Sequence, residues 1–567
     1  MTPITKLNQH YTIALLLVLL IACASIPQRV YAQSIPIDDI KDSQYRNLQL
    51  LSDSTIQDPL TNRTIWMPAY KDLIKQFSST SDAWWAQPIT GPETKFWDFF
   101  KAGIYQPVFR NTYNTALPYG GNNGSAWYGK GLNTELEAGF YLTSKYFTVS
   151  LRPHLSYSQN QDFPKPRFIP TDNYGNPKYQ AIIGGIDMPY RFGPDSFSTF
   201  DWGHSSVSLH YKSIAAGFST EPLWWGPGIR NALILSNNAP GLKHFFLGTR
   251  SPLALPLGIG SLNLKVIWGE PEDSKYFLTT EKTDHRRFTT GANISYTPGF
   301  APNLTLGFIK VAHQYWPDDR LGLNDLTFSL DFINTRQQGG NDQWNNLMGA
   351  YFRLVFPKAD AELYGEYFTE DGYYNGRDLL MEPDHNRAFT LGFQKIVETD
   401  NWLDFFKING EITSLVPTRV EEVRKEGYYY RHSQIRQGHT NKGQVLGATI
   451  GPGSASQFVG VEGYLHKGML GLFVQRVAVN DFFHYRWNDK KKPNPPVGDI
   501  YNHRINLNVG LKGHYDTGPV LLGAKLIWNK NYNYGRYDYG NTDIDFDNTG
   551  AHDKVNMQLR LSARYLF

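Results

Sequence analysis

An all-β fold is predicted: a transmembrane antiparallel β-barrel of about 18 strands carrying a small N-terminal periplasmic α-helical domain. The first observation is the stretch 555–567, where Met557, Leu559, Leu561, Ala563, Tyr565 and Phe567 alternate with Asn556, Gln558, Arg560, Ser562 and Arg564. Successive strand residues point to opposite faces, so one face suits lipid and the other suits water. The second is composition: aromatic residues make up 15% of the chain and there are 51 glycines, as interfacial rings and many turns require. The third is the N-terminus, where Lys6, an apolar run from Ile13 to Ala22 and Val30-Tyr31-Ala32 before Gln33 read as an export signal. A secreted β-sandwich is the competing fold, and the final aromatic residue tilts the choice to a barrel.

The mean hydropathy of −0.43 excludes a helical membrane protein, because no run of about 20 apolar residues follows the leader. A barrel is compatible with it, since only alternate residues face lipid. The net charge of +3 is too small for a nucleic-acid binder of this length. A single cysteine, Cys23, excludes a disulfide framework and a thiolate metal site, and no cofactor is predicted. Lys490, Lys491 and Lys492 followed by Pro493, Pro495 and Pro496 read as a solvated loop.

Taken in order, residues 1–32 are a signal peptide. Leu20-Ile21-Ala22-Cys23 also resembles a lipoprotein processing box, but a barrel needs no acyl anchor. Residues 33–102 form the periplasmic helical domain. Tyr45, Leu48 and Leu51 define one amphipathic helix and Tyr70, Leu73, Ile74 and Phe77 a second, broken at Asp58-Pro59. Trp84, Trp85, Phe96, Trp97, Phe99 and Phe100 offer them a packing surface or sit at the membrane interface, and the domain is expected under the periplasmic mouth.

Residues 103–567 are the barrel with long extracellular loops. Alternation marks Leu304–Phe308, Leu326–Phe332, Met348–Phe356 and Ile505–Leu511, with Thr305, Asp331, Arg353, Asn506, Asn508 and Lys512 on the lumenal face. Short turns at Thr143–Lys145, Pro298–Pro302, Pro357–Asp360, His466–Gly468 and Asp516–Pro519 contrast with long connections near 159–204, 220–258, 370–385, 416–456, 480–501 and 531–552. Short turns on one rim and long loops on the other is how outer-membrane barrels are organised.

Two of these connections are unlike ordinary loops. Glu221–Gly241 contains Trp224-Trp225-Gly226-Pro227-Gly228 and Arg230, and Gln437–Gln457 contains His439-Thr440-Asn441-Lys442-Gly443-Gln444. With these segments, the helices after the leader and a closing strand of the kind the barrel-assembly machinery reads, the chain resembles the capsule assembly Wzi family. The resemblance implies an 18-stranded barrel sealed below by a periplasmic helical bundle. It further implies a lectin for surface polysaccharide, capsular or exopolysaccharide, working without catalysis in the outer membrane of a Gram-negative bacterium, among outer-membrane lipids and lipopolysaccharide.

The residues agree in kind. Sugar rings stack on aromatic faces, and their hydroxyls and carboxylates want Arg, Asn and Gln donors. Trp224, Trp225 and Arg230 supply that mixture, as do Tyr429, Arg431, His439, Asn441 and Gln444 beside Tyr428 and Tyr430, and as do Tyr534 and Tyr537 with Arg536. Each has a plainer reading: the tryptophans as a constriction plug, the tyrosines as membrane girdle, His439 as an ordinary loop residue. Glu362, Glu366 and Glu411 read as lumen-lining charges. A diffusion channel is the alternative function. A lipid-modifying enzyme built on His204 and Ser205 is weaker, since no nucleophile elbow or metal-ligand cluster is present.

Overall fold

Alternating strands and short turns close the chain on itself. The computed structural model describes residues 34–35, 38–52, 58–63, 65–96, 99–164, 186–277, 286–317, 320–331, 344–371, 376–399, 402–417, 427–481, 503–534 and 552–567. The expected signal peptide with Cys23, the Lys490–Lys492 run and Tyr537 lie outside the described residues. Its core is a closed barrel of 18 antiparallel strands, each paired with its neighbours in sequence.

The first nine are β1 (Phe100–Asn114), β2 (Gly131–Thr143), β3 (Phe147–Leu151 continued by His154–Ser158), β4 (Phe197–Asp201 continued by Ser206–Tyr211), β5 (Ile214–Ser219), β6 (Lys243–Thr249), β7 (Gly260–Glu270), β8 (Arg287–Pro298) and β9 (Leu304–Tyr315). The rest are β10 (Asn345–Phe356), β11 (Ala361–Glu370), β12 (Arg387–Glu398), β13 (Phe405–Ser414), β14 (Ala455–Leu465), β15 (Gly468–Val479), β16 (Arg504–Asp516), β17 (Val520–Tyr532) and β18 (Lys554–Tyr565). β18 pairs back onto β1 from Gln558↔Asn114 to Arg564↔Val108. Closure leaves no unpaired sheet edge in the membrane.

The closing strand follows its alternation. Leu559, Leu561, Tyr565 and Phe567 face outward, 43–55% exposed, while Asn556, Gln558 and Arg564 are buried on the lumenal side. All five expected short turns fall on one rim, with the long connections on the other.

Two expectations about strands are corrected. The stretch expected as a strand from Leu326 is instead a short helix, Leu323–Thr327, running into a 3-10 turn at Phe328–Leu330, so Asp331 lies off the barrel wall. Phe328 stacks on Trp344 with centroids 4.4 Å apart, and that contact, not a ladder, buries its ring. Conversely β6 lies within what reads as one long connection, 220–258. Its Phe245-Phe246-Leu247 core is apolar without alternation, because it packs inward as well as outward.

The N-terminal helices form where their periodicity places them, as α1 (Asp39–Leu51) and α2 (Met67–Ser78). Asp38 caps α1 by accepting from the Ile40 and Lys41 amides at 3.1 and 3.2 Å. Tyr45 and Leu48 of α1 meet Tyr70, Leu73 and Ile74 of α2. Instead of hanging under the mouth, α1 is wedged into it. Arg46 pairs with Glu362 on β11 at 3.2 Å, Lys407 on β13 donates to Asn47 at 3.1 Å, and Arg564 on β18 pairs with Asp38 at 2.7 Å. The polar stripe of α1 is buried: Arg46 and Asn47 meet the lumenal charges of Glu362 and Lys407, while Gln44 donates to the Trp85 and Gln87 carbonyls and Gln49 to the Asp58 carbonyl. α2 stays at the rim with Lys71, Asp72 and Lys75 exposed. The expected tryptophan surface holds in part: Trp84 Nε1 donates to the Gly468 carbonyl and Trp85 Nε1 to Asp404, while Phe99 is exposed.

Candidate functional site

Both unusual segments fold back into the barrel and pack on each other. Trp225, Leu233, Ile234 and Leu235 of the first join Val445 and Leu446 of the second, and Tyr429 and Tyr430 just ahead of it, in one buried apolar cluster against Ile267, Ile309, Leu347 and Phe368 from the wall. The backbone of the first segment needs acceptors in that dry interior, and two wall carboxylates supply them. Glu366 on β11 accepts from the amides of Gly228 at 2.8 Å and Leu233 at 2.9 Å. Glu411 on β13 accepts from Ile229 at 2.8 Å, Arg230 at 3.0 Å and Asn231 at 2.9 Å, and from the Tyr364 hydroxyl at 2.9 Å. The acidic residues that read as lumen lining thus hold a plug. Gly226 has φ +100°, and a Cβ there would come 2.4 Å from Glu366 Oε1, so a glycine is required at this turn.

The second segment locks over the first. Ser236 N donates to the Leu446 carbonyl at 2.7 Å, and Tyr430 N donates to Glu370 at 2.6 Å. His439 Nε2 donates to the Ile234 carbonyl, which leaves its Nδ1 to accept from His313 Nε2 at 2.7 Å. His313 Nδ1 in turn accepts from the Thr289 hydroxyl at 2.6 Å. Burial, with Arg287 nearby, pushes His439 down to about 4.

A released loop would return His439 to about 6.5 and bind more protons than the docked one between those values. Docking is accordingly at full strength above pH 6.5 and weakens as the pH falls toward 4. Limited proteolysis of the segment is expected to quicken on going from pH 7 to pH 4.5 in the native protein, and much less in His439→Gln. Equal acid sensitivity in both would remove His439 from the latch.

The structure brings together most of the residues singled out in the sequence, but as a plug. Trp225, Tyr429, His439 and Asn441 are at most 1% exposed and out of reach of a sugar. Trp224 is buried under Arg63, whose guanidinium lies 4.3 Å from its ring, and donates to the Gly228 carbonyl. Asn441 accepts from Glu272 N and donates to the Pro240 carbonyl. Tyr534 is buried, its hydroxyl donating to the Pro164 carbonyl. Arg230 is half-buried and turned into the lumen, 3.9 Å from the Phe458 ring centroid. Arg431, beside Tyr428, and Gln444, which donates to the Gly124 carbonyl, are partly exposed. The Ser205 hydroxyl donates to the Trp202 carbonyl and accepts from Arg152 N.

Glu135, Glu137 and His154 bring possible ligand atoms within 4.8 Å of one another, but Arg110 and Arg152 already pair with Glu137 at 2.5 and 3.0 Å and supply the positive charge a metal ion would bring. Sequence reasoning missed a row of cations across β16, β17 and β18. Only the strand register, which places Lys525 beside Lys512 and Arg560, makes that row visible.

A closed antiparallel barrel with a lipid-facing apolar belt, a polar lumen and an internal plug defines an outer-membrane β-barrel protein. The model of the capsule assembly protein Wzi family matches residues 103–533. The chain belongs to that family. Among solved structures it is similar to Escherichia coli Wzi, described as an outer-membrane protein involved in group 1 capsule assembly and a carbohydrate-binding β-barrel. The identity is 13%, the TM-score 0.57, and the match covers 94% of this chain and 100% of that one. More distant similarity extends to OprD of Pseudomonas aeruginosa, 9% identical with a TM-score of 0.35 over 82% of this chain and 92% of that one. Acinetobacter baumannii OccAB4 stands alike, at 10% and 0.36 over 84% and 99%. No curated protein sequence matches the chain.

Proposed function

We propose that this protein binds surface polysaccharide through the outer face of its plug and loops, and so holds a capsule-like layer at the cell. The observation that carries the reading is the plugged outer half of the lumen. Two segments that a channel would keep clear of its pore are packed into it and gripped by Glu366 and Glu411, which turns the outer end of the barrel into a surface.

That surface has the chemistry of sugar recognition. Arg431 lies 5.5 Å from the Tyr428 ring and Arg286 lies 5.7 Å from the Trp316 ring, with Gln434 exposed and Arg436 and Gln444 half-buried nearby on the same segment. Guanidinium groups beside aromatic faces suit a polymer carrying carboxylates. Trp224, Trp225, Tyr429, His439, Asn441 and Tyr534 support this surface from within, and Tyr537 is assigned to polysaccharide contact by its residue chemistry alone. Weak contacts repeated along a polymer and over many protein copies sum to firm retention.

Deletion of the gene is expected to leave total polysaccharide unchanged and move it from the cell-bound to the released fraction. Arg431→Ala combined with Gln444→Ala should do the same partially, with the barrel level in the membrane unaltered. Unchanged cell-bound polymer in the deletion strain would defeat the reading.

A further inference from the structure

Below the plug the lumen is open. A cavity of about 350 Å³ lies between α1, the Ile229-Arg230 tip of the plug and the wall from β13 round to β1, at the lower end of the size range of small-molecule sites. Nine Arg and Lys side chains line it against four Asp and Glu. Six of the nine have carboxylate partners: Arg46 with Glu362, Arg63 with Asp42, Arg110 with Glu137, Lys407 and Lys512 with Glu462, and Arg564 with Asp38. Arg230, Lys525 and Arg560 remain.

The register crowds these cations. Lys525 stands directly opposite Lys512 on β16 and Arg560 on β18, and like charges so placed destabilise a sheet. Arg230 comes down from the plug to the same spot: its Cζ is 5.6 Å from the Phe473 ring centroid and Lys525 Nζ is 5.5 Å from it. The Nε atoms of Arg230 and Arg560 are buried without a hydrogen-bond partner. Lys525 Nζ forms no hydrogen bond or ion pair among the described residues. The other guanidinium hydrogen bonds are to neutral oxygens, Arg230 to Gln475 at 3.4 Å and Arg560 to Asn123 at 3.1 Å. Cations without a salt-bridge partner and orphaned donors lining a cavity of ligand size are what an anion would satisfy.

We propose that Arg230, Lys525 and Arg560 form a lumenal binding site for a single small oxyanion, a phosphate or a carboxylate group. The site does not depend on polysaccharide retention by the outer surface, so either can fail alone. The test is calorimetric titration of the full chain in detergent with inorganic phosphate and, separately, with glucuronate, at ionic strength matched by sodium chloride. The native protein is expected to bind at least one of them, and Lys525→Gln/Arg560→Gln to bind about tenfold more weakly or worse.

In chloride buffer without phosphate or carboxylates the double variant is expected to melt at a higher temperature than the native protein, because the repulsion is gone. Binding of phosphate alone assigns the site to a free ion, and binding of glucuronate as well admits an acidic sugar residue as its source. No binding of either anion by the native protein, or equal affinities in the native protein and the variant, would overturn the proposal.

Discussion

Replacing Glu366 and Glu411 together by alanine is expected to turn a closed barrel into a conducting one. The two carboxylates accept from five backbone amides of the plug, Gly228, Ile229, Arg230, Asn231 and Leu233. A buried donor left without an acceptor costs roughly 1–3 kcal/mol, so the docked segment loses several kcal/mol relative to a hydrated loop. In planar bilayers the native protein should stay near the baseline and the double variant should show discrete openings, with the β-sheet circular dichroism of both unchanged. A variant as silent as the native protein would mean that the apolar cluster around Trp225 holds the plug without its acidic anchors. A native protein that conducts like an open pore would replace the polysaccharide reading with the solute channel.

The second large effect is expected at Glu362. Arg46 of α1 pairs with one of its oxygens at 3.2 Å and Arg353 of β10 with the other at 2.8 Å, and the three side chains are at most 4% exposed. Arg353 also donates to the Pro59 carbonyl at 3.1 Å, so this group ties both α1 and Pro59 beyond it to the wall. Alanine at 362 leaves two buried guanidiniums without a counter-charge, a change worth about 3–5 kcal/mol. The loss falls on docking of α1, because the barrel ladders do not depend on it. Amide exchange in α1 should accelerate by about a hundredfold or more while exchange in β10 and β11 keeps its native rate. Uniform acceleration across barrel and helix would show that α1 is part of one cooperative unit and is not a docked wedge.

The helices and most of the barrel were legible because their signals are local. Tyr45 and Leu48, or Leu559 and Leu561, declare their element through neighbours two to four residues away. The stretch from Leu326 misled because Phe328 and Leu330 have strand spacing while the partner that buries Phe328, Trp344, comes from a later part of the chain. The residue types of the plug were legible and their role was not. Trp225 beside Gly226 and Arg230 reads equally as a sugar platform or a packed turn, and the choice rests on Glu366, 138 residues from Gly228.

By itself the sequence determined the class of this protein: a closed antiparallel barrel with helices ahead of it and two atypical loops, within the capsule assembly Wzi family. Period-two alternation is imposed residue by residue by the bilayer, so it is written along the chain. The tertiary structure alone decided that α1 enters the mouth, that the two loops turn inward, and that Lys525 and Arg560 crowd a cavity below them. Those outcomes come from buried charges choosing partners across the lumen, and the free energy of such a pairing depends on distance and desolvation, which sequence spacing does not encode.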